Sequence, residues 1–141
     1  MLDGHEPVDP NEMVYRRVAV KTGYYKLGRL PPISQKAFNP IDGNDDDGIS
    51  LFRAKYGGPE DVAAGGRAGT DYFVIEMRAG DLFGVGMILE ADPRPGIPGH
   101  AQVPSVNCAT RDSKEVQEIM DRARHVAFQA HGPFPGKRPR E

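Results

Sequence analysis

Apolar residues in this chain occur in short runs between glycines and prolines, and this spacing limits the fold more than any other feature. The chain holds 17 glycines and 13 prolines in 141 residues. Because both residues interrupt helices and strand ladders, the elements between them must be short. Runs rich in valine, isoleucine, tyrosine and phenylalanine predict strands at residues 13–20, 49–54, 71–77 and 85–89. Residues 100–106 predict one more strand, which Pro104 confines to a sheet edge.

One segment near the C-terminus has the periodicity of a helix. In residues 113–130 the apolar side chains recur at helical spacing on one side, and charged side chains fall on the other. Asp112 and Glu115 have the spacing of a capping box at its start. Pro59 predicts the start of a shorter helix. The predicted fold class is therefore α+β: a mostly antiparallel sheet of about four to six strands, with one long C-terminal amphipathic helix packed on a face.

The two ends of the chain differ in composition from its middle. Residues 1–12 are acidic and contain two prolines, and residues 132–141 are basic and rich in proline. This composition predicts a flexible lead-in and a flexible tail. Residues 13–131 then form a single α+β domain of ordinary size.

Charge and cysteine content exclude some classes of function. The formal net charge of −2 gives the chain no general affinity for nucleic acid or for an anionic membrane surface. The single cysteine, Cys108, excludes an internal disulfide and fits a reducing compartment. No apolar run reaches the roughly 18 residues that span a bilayer. We therefore expect a soluble, cytoplasmic protein without a membrane segment.

Residues 13–36 combine basic and aromatic side chains without a single acid. Bases interleaved with tyrosines can hold phosphates and stack on nucleobases. The same residues can cover an acidic protein partner, or they can form a solvated strand and loop. The predicted binding surface consists of Tyr15, Arg16, Arg17, Tyr24, Tyr25 and Arg29.

The sequence predicts neither a metal site nor a cofactor. The acidic turn from Asp42 to Asp47 fails the EF-hand spacing in both registers that place its acids as ligands. The four histidines do not have the spacing of a ligand set. His100 lies at a predicted strand entrance and can act as a general base, but no companion Ser, Cys or His has motif spacing. No catalytic residue is predicted, and the residues assigned to a possible pocket are Phe38, Arg53 and His100.

A series of short motifs resembles a group of small bacterial proteins without an established activity. The series runs Tyr15-Arg16-Arg17, Ser34-Gln35-(Lys36)-Ala37-Phe38, Asp47-Gly48-Ile49-Ser50, Asp92-Pro93 and Gly99-His100-Ala101. It covers roughly residues 14–130, and Lys36 interrupts the usual contiguous Ser-Gln-Ala-Phe. The resemblance implies an accessory component encoded beside a larger bacterial system, and it brings no catalytic residues with it.

The layout of the first strands is also similar to that of RES-type toxins, which have an ADP-ribosyltransferase-like fold and degrade NAD. This likeness implies that Arg16 or Arg17 holds pyrophosphate and that an aromatic ring, Tyr56 or Phe52, stacks on the ligand. It implies a catalytic acid at one of two positions, Glu60 or Glu76. This likeness rests on the layout of strands and residues alone.

Three functional hypotheses follow. The first is a non-enzymatic protein-binding or regulatory component of a bacterial multi-protein system, of a defence or toxin type, which binds its partner through residues 13–36. The second is an enzyme acting on a nucleotide such as NAD, with Arg16 or Arg17, Phe38 and His100 near the pocket. The third is a nucleic-acid-binding protein that uses the basic stretch together with tail residues Lys137, Arg138 and Arg140.

Overall fold

The computed structural model describes residues 3–20, 35–40, 45–127 and 129–139. The strands are β1 (Met13–Ala19), β2 (Ile49–Arg53), β3 (Asp71–Arg78), β4 (Glu90–Ala91), β5 (His100–Val103) and β6 (Gln129–Pro135). The helices are α1 (Pro59–Ala64), α2 (Ala79–Gly84) and α3 (Lys114–Arg124), and single 3₁₀ turns cover Gln35–Phe38 and Ala54–Tyr56. Within the described parts of the chain, no helix has the length and apolar character needed to cross a membrane.

The six strands form one antiparallel sheet in the order β4-β5-β2-β1-β3-β6. The prediction of an α+β fold with a mostly antiparallel sheet is confirmed at this level. Strand β1 pairs with β3 along its whole length, from Met13–Arg78 to Ala19–Tyr72. With β2 it pairs only at Val14–Arg53 and Tyr15–Phe52, and beyond these pairs the two strands diverge.

The larger core lies on one face of the sheet, beneath α3. Side chains that alternate along the strands point into it, as the period of two in a strand requires. It contains Val14 and Val18 of β1, Ile49 and Leu51 of β2, Ile75 and Met77 of β3, and Val116, Ile119, Met120 and Ala123 of α3. A smaller cluster on the opposite face joins Tyr15 and Val74 to Val62 and Ala63 of α1.

Helix α3 contributes four side chains to the larger core, but it is shorter than the predicted helix. It ends at Arg124 rather than at residue 130, and residues 129–135 form strand β6. Strand β6 contains Gly132, Pro133 and Pro135, which disfavour a helix, and it covers the otherwise open edge of β3. The sequence predicts a helix that reaches residue 130 because alanines recur there at helical spacing, and alanine occurs in helices and in strands.

One strand prediction near the middle of the chain is wrong, and a second is wrong only in its position in the sheet. Residues 85–89 do not form a strand: Val85 and Gly86 form a turn after α2, with the Met87 amide donating to the Leu82 carbonyl at 2.9 Å and Gly86 at a φ of 100°. Strand β5 lies between β4 and β2 rather than at the edge. Pro104 follows the last residue of β5, so its missing amide does not interrupt the ladder.

Both ends of the described chain contact the rest of the fold. Residues 4–12 surround the guanidinium group of Arg53, which is 1% exposed. Beyond β6, the Lys137 amide donates to the Ala64 carbonyl at 2.9 Å and the Arg138 amide to the Gly66 carbonyl at 2.8 Å. A buried arginine needs acceptors for its five N–H groups, and the N-terminal segment supplies them.

Candidate functional site

The divergence of β1 and β2 creates a cleft in the sheet, and Arg16 lies at its base. The Arg16 side chain is buried, with Nε donating to the Ala37 carbonyl at 3.0 Å and Nη1 to the Ser50 carbonyl at 2.9 Å. The Ser50 carbonyl receives a side-chain donor where a continuous ladder would supply a backbone amide. The separation of the two strands is therefore stabilised by hydrogen bonds.

The cleft forms a cavity of about 810 Å³. Its described lining contains seven basic side chains and two acidic ones. The basic residues are Arg16, Arg17, Lys36, Arg53, Arg67, Arg94 and Arg138, and the acids are Asp45 and Asp61. Three aromatic rings, those of Phe52, Tyr56 and Tyr72, belong to the same lining. This excess of positive charge favours an anionic ligand.

Arg17 differs from the other cations of the cleft in its surroundings. Its Nη1 donates to the Val62 carbonyl at 2.8 Å, and its guanidinium carbon lies 5.0 Å from the centre of the Phe52 ring and 5.6 Å from that of Tyr72. Within the residues that the structure describes, no carboxylate forms an ion pair with it. Burial lowers the pKa of Arg17 to about 10, and the neighbouring charge of Arg16 acts in the same direction. The charge of Asp45 acts in the opposite direction, and Arg17 is thus a charged group at neutral pH that forms no ion pair with a described residue.

A histidine with two ring contacts forms another part of the cleft wall. His100 is 2% exposed, and its Nε2 lies 2.8 Å from the Ser50 Oγ. Its Nδ1 lies 3.0 Å from the backbone carbonyl oxygen of Asp92 and 3.1 Å from Asp92 Oδ2. Burial lowers the pKa of His100, and the charge of Arg94 acts in the same direction. His100 is therefore neutral at pH 7, with both ring nitrogens engaged.

Only part of the predicted binding surface lies in the cleft. Arg16 and Arg17 line it, whereas Tyr15 is buried in the smaller cluster, with its ring edge-on to His131 at 6.2 Å. The other three predicted members, Tyr24, Tyr25 and Arg29, lie outside the described residues. Of the described members, Tyr15 and Arg16 are buried and Arg17 is partly buried.

Of the three residues assigned to a pocket, two belong to the described lining of the cavity and one does not. His100 and Arg53 line the cavity. The Arg53 guanidinium group forms an ion pair with Glu12, whose carboxylate oxygens accept from Arg53 Nε at 2.7 Å and Arg53 Nη2 at 3.0 Å. Phe38 is fully buried in the larger core and is not part of the described lining of the cavity. A phenylalanine at the end of a 3₁₀ turn is available to either environment, and here it packs against the core beneath α3.

The RES-type layout is matched in part. Arg17 and Phe52 lie in contact, and Tyr56 lines the same cavity. Neither Glu60 nor Glu76 lines it. Glu60 is exposed on α1, and Glu76 Oε1 is 2.7 Å from His131 Nε2. The arginine and the aromatic rings of that layout are thus present in the cleft, and its catalytic acid is not among the described lining.

Metal binding has no candidate in the described ranges, where no group of three His, Cys, Asp or Glu side chains could hold an ion. Of the acidic turn, Asp45 is buried and lines the cleft, while Asp42 lies outside the described residues.

Sequence reasoning missed Ser50 and Asp92 as partners of His100, and Tyr72 as a partner of Arg17. All three members of the His100 cluster stand in motifs of the quoted series, but Ser50 lies far from Asp92 and His100 along the chain. Alternation in β2 places Ser50 and Phe52 on one face, which is a signal that the sequence does contain. The register of β2 against β5 decides whether His100 lies beside Ser50, and single-sequence patterns do not specify that register.

Comparison of the chain with protein-family models, with curated proteins and with solved structures gives no match.

Proposed function

We propose that the cleft between β1 and β2 binds a phosphorylated ligand that carries an aromatic ring, a mononucleotide or a dinucleotide. The observation that supports this function is the state of Arg17. Its guanidinium group faces a cavity, belongs to a partly buried side chain, and has one hydrogen bond to a carbonyl oxygen and no ion pair within the described residues.

An unneutralised cation in such a position is costly. Removing a charge from water is unfavourable unless an opposite charge or several hydrogen bonds compensate for it. The planar guanidinium group of arginine matches two oxygens of a phosphate. A phosphate in the cleft would supply the charge and the acceptors that Arg17 lacks, and binding would offset a cost already present in the folded protein.

The size and lining of the cavity favour a nucleotide over a simple inorganic anion. A volume of about 810 Å³ lies in the range of small-molecule sites, which is about 300–1,000 Å³. The rings of Phe52, Tyr56 and Tyr72 offer stacking surfaces, and stacking of a base on an aromatic ring contributes about 1–3 kcal/mol. This choice corresponds to the nucleotide hypothesis from the sequence, without its catalytic acid.

The other two hypotheses stay predictions. A protein-binding role in a bacterial multi-protein system depends on Tyr24, Tyr25 and Arg29, which lie outside the described residues. A nucleic-acid-binding role depends on the tail, of which Arg138 lines the same cleft. Neither has an observation comparable to that at Arg17 in its favour.

The test is equilibrium binding by calorimetry with ATP, ADP, AMP, NAD and pyrophosphate. Arg17→Gln keeps most of the side-chain volume but removes the charge, and we expect it to weaken nucleotide binding by about tenfold or more. That factor corresponds to about 1.5 kcal/mol, the lower value for a hydrogen bond to a charged group. Arg122→Gln, which removes the same charge from the exposed side of α3, serves as the matched control and should bind like the wild type.

Three outcomes would reject the proposal. They are the absence of binding by any of these ligands, equal affinity of Arg17→Gln and wild type, and an equal loss in Arg17→Gln and Arg122→Gln. Circular dichroism of each variant separates a loss of binding from a loss of folding. Pyrophosphate binding as tight as nucleotide binding would remove the role assigned to the aromatic rings.

A further inference from the structure

Ser50 and His100 of the same cleft, with Asp92 beside His100, have the arrangement of a nucleophile, a general base and an acid that orients the base. We propose that Ser50 is a nucleophile activated by His100 for attack on a carboxylic ester, with Asp92 positioning the imidazole. The excess of basic side chains around Ser50 favours an ester that carries an anionic group. This activity does not depend on the proposed nucleotide ligand.

Strand pairing brings the serine and the histidine together. Strand β2 faces β5 in an antiparallel register with Ser50 opposite Gln102 and Phe52 opposite His100. Ser50 and His100 are therefore diagonal neighbours on one face of the sheet, within reach of each other's side chains. The distance from Ser50 Oγ to His100 Nε2 is 2.8 Å, which is the hydrogen-bond distance expected between a nucleophile and its base.

The contacts of His100 determine which ring nitrogen carries the proton. Both groups near Nδ1, the carbonyl oxygen of Asp92 at 3.0 Å and its Oδ2 at 3.1 Å, can only accept hydrogen bonds. Nδ1 must therefore hold the proton in the neutral ring, so Nε2 has a free electron pair that accepts from the Ser50 hydroxyl. This is the tautomer that a general base for Ser50 requires.

Charged groups around His100 act on its pKa in both directions. Burial is the largest effect and lowers the pKa, and Arg94 lowers it further, whereas the carbonyl and carboxylate of Asp92 raise it. Arg94 Nε in turn donates to Asp92 Oδ2 at 3.1 Å. The net lowering keeps His100 unprotonated at neutral pH and able to accept a proton.

The reaction follows from these contacts. Ser50 Oγ attacks the ester carbonyl carbon while its proton moves to His100 Nε2, and the carbonyl π electrons move to the carbonyl oxygen. When the tetrahedral intermediate collapses, the C–O bond to the alcohol breaks, and the leaving oxygen takes the proton from Nε2. Water then attacks the acyl-Ser50 ester with the same proton transfers, releasing the carboxylic acid and restoring Ser50. The Arg16 guanidinium group donates to the Ser50 backbone carbonyl at 2.9 Å and so places a positive charge near the serine.

A purely structural role is the alternative, in which the Ser50–His100 hydrogen bond only joins β2 to β5. The two roles predict different chemistry at the serine. A structural serine reacts with electrophiles as slowly as any exposed serine, whereas an activated one reacts faster by about 10²–10⁴-fold, the usual contribution of a general base.

The experiment is labelling of the full chain with a fluorophosphonate, followed by mass spectrometry of the peptides. We expect phosphonylation at Ser50, with exposed Ser105 as the internal control for unassisted reaction. Ser50→Ala should abolish the label, and His100→Gln should slow it by about 100-fold or more. The labelling rate should rise with pH through a midpoint below 6.5, since the pKa of His100 is lowered from that value.

Asp92→Asn tests the positioning role and keeps the backbone carbonyl that also binds Nδ1. Removal of the carboxylate, which raises the pKa of His100, should move the midpoint of the pH profile to lower pH and slow labelling less than His100→Gln does. Labelling of Ser50 no faster than that of Ser105 would overturn the proposal. So would a Ser50 rate that is unchanged in both His100→Gln and Asp92→Asn. Nucleotide binding without Ser50 labelling, or the reverse, would separate this proposal from the proposed ligand.

Discussion

Three arginines on neighbouring strands have different numbers of partners, and those partners indicate different roles. Arg53 is fully buried and binds the Glu12 carboxylate together with carbonyls of the N-terminal segment. Arg16 bridges two carbonyls at the base of the cleft. Arg17 has a single carbonyl and two aromatic rings. The first two arginines hold the structure together, and Arg17 is available to a ligand.

Replacement of Glu12 by glutamine should destabilise the protein strongly, because it leaves the Arg53 charge buried beside a neutral group. Breaking a buried ion pair from one side costs about 3–5 kcal/mol, and we expect about 3 kcal/mol because Glu6 lies 3.5 Å from Arg53 Nη1 and remains. The free energy of unfolding from urea titration at pH 7 measures it. Glu118→Gln, at an exposed position on α3, is the control and should change stability by less than about 0.5 kcal/mol.

The Glu12–Arg53 pair also determines how the difference in unfolding free energy between wild type and Glu12→Gln changes with pH. Burial raises the pKa of Glu12, but the hydrogen bonds from Arg53 and from the Asp9 amide outweigh it, and the net pKa is lowered from 4.5. Hydrogen bonding from the Tyr56 hydroxyl likewise lowers the pKa of Glu6 to about 2. A lowered carboxylate pKa stabilises the fold above about 4.5 and loses that contribution as pH falls through the folded value. The gap between wild type and Glu12→Gln should therefore narrow below pH 4.5, and a constant gap would contradict the pairing.

At the scale of elements, local signals identified the ends of some elements and not of others. Helix α1 begins at Pro59 as predicted, and β1, β2 and β3 lie within about one residue of their predicted positions, since each has a strong apolar run. Helix α3 begins one residue later than the predicted cap implies. Its N-cap is Ser113, whose Oγ accepts from the Val116 amide at 3.2 Å, instead of Asp112.

Substitution at these two neighbouring positions should have unequal effects. Ser113→Ala removes the side-chain acceptor of the cap and should destabilise the protein by about 1 kcal/mol. Asp112→Ala removes an exposed carboxylate outside the helix and should cost less than about 0.5 kcal/mol. Urea unfolding of both variants measures the difference. A larger loss for Asp112→Ala would mean that the helix begins with the capping box predicted from the sequence.

Elements that depend on distant partners were the ones that the sequence did not predict. Strand β4 has only two residues and owes its conformation to β5. Strand β6 carries glycine and two prolines and is recognisable only once the free edge of β3 is known. The Ser50–His100–Asp92 group also depends on pairing between distant segments. Ser50 and His100 meet through the register of β2 and β5, and Asp92 reaches His100 from the segment that leads into β5. Sequence patterns report local preference, whereas these features follow from pairing between segments far apart in the chain.

At the scale of the whole molecule, the larger apolar core and the proposed binding cleft occupy different parts of the sheet. Helix α3 and the apolar side chains of the larger core cover one face. The cleft between β1 and β2 carries the cations, the aromatic rings, Ser50 and His100. Both ends of the described chain complete this arrangement, since residues 4–12 neutralise Arg53 and the segment after β6 places Arg138 at the cleft.

The measurement that tests the central claim most directly is an amide chemical-shift titration of the assigned, ¹⁵N-labelled protein with ADP. We expect the largest shifts at Arg17, Phe52 and Val62, which surround the unneutralised guanidinium group, with α3 unaffected. The Arg17 side-chain Nε–H resonance should move with the same dissociation constant as these amides. Shifts confined to α3, or no shift anywhere at millimolar ADP, would contradict the assignment of the cleft as a nucleotide site.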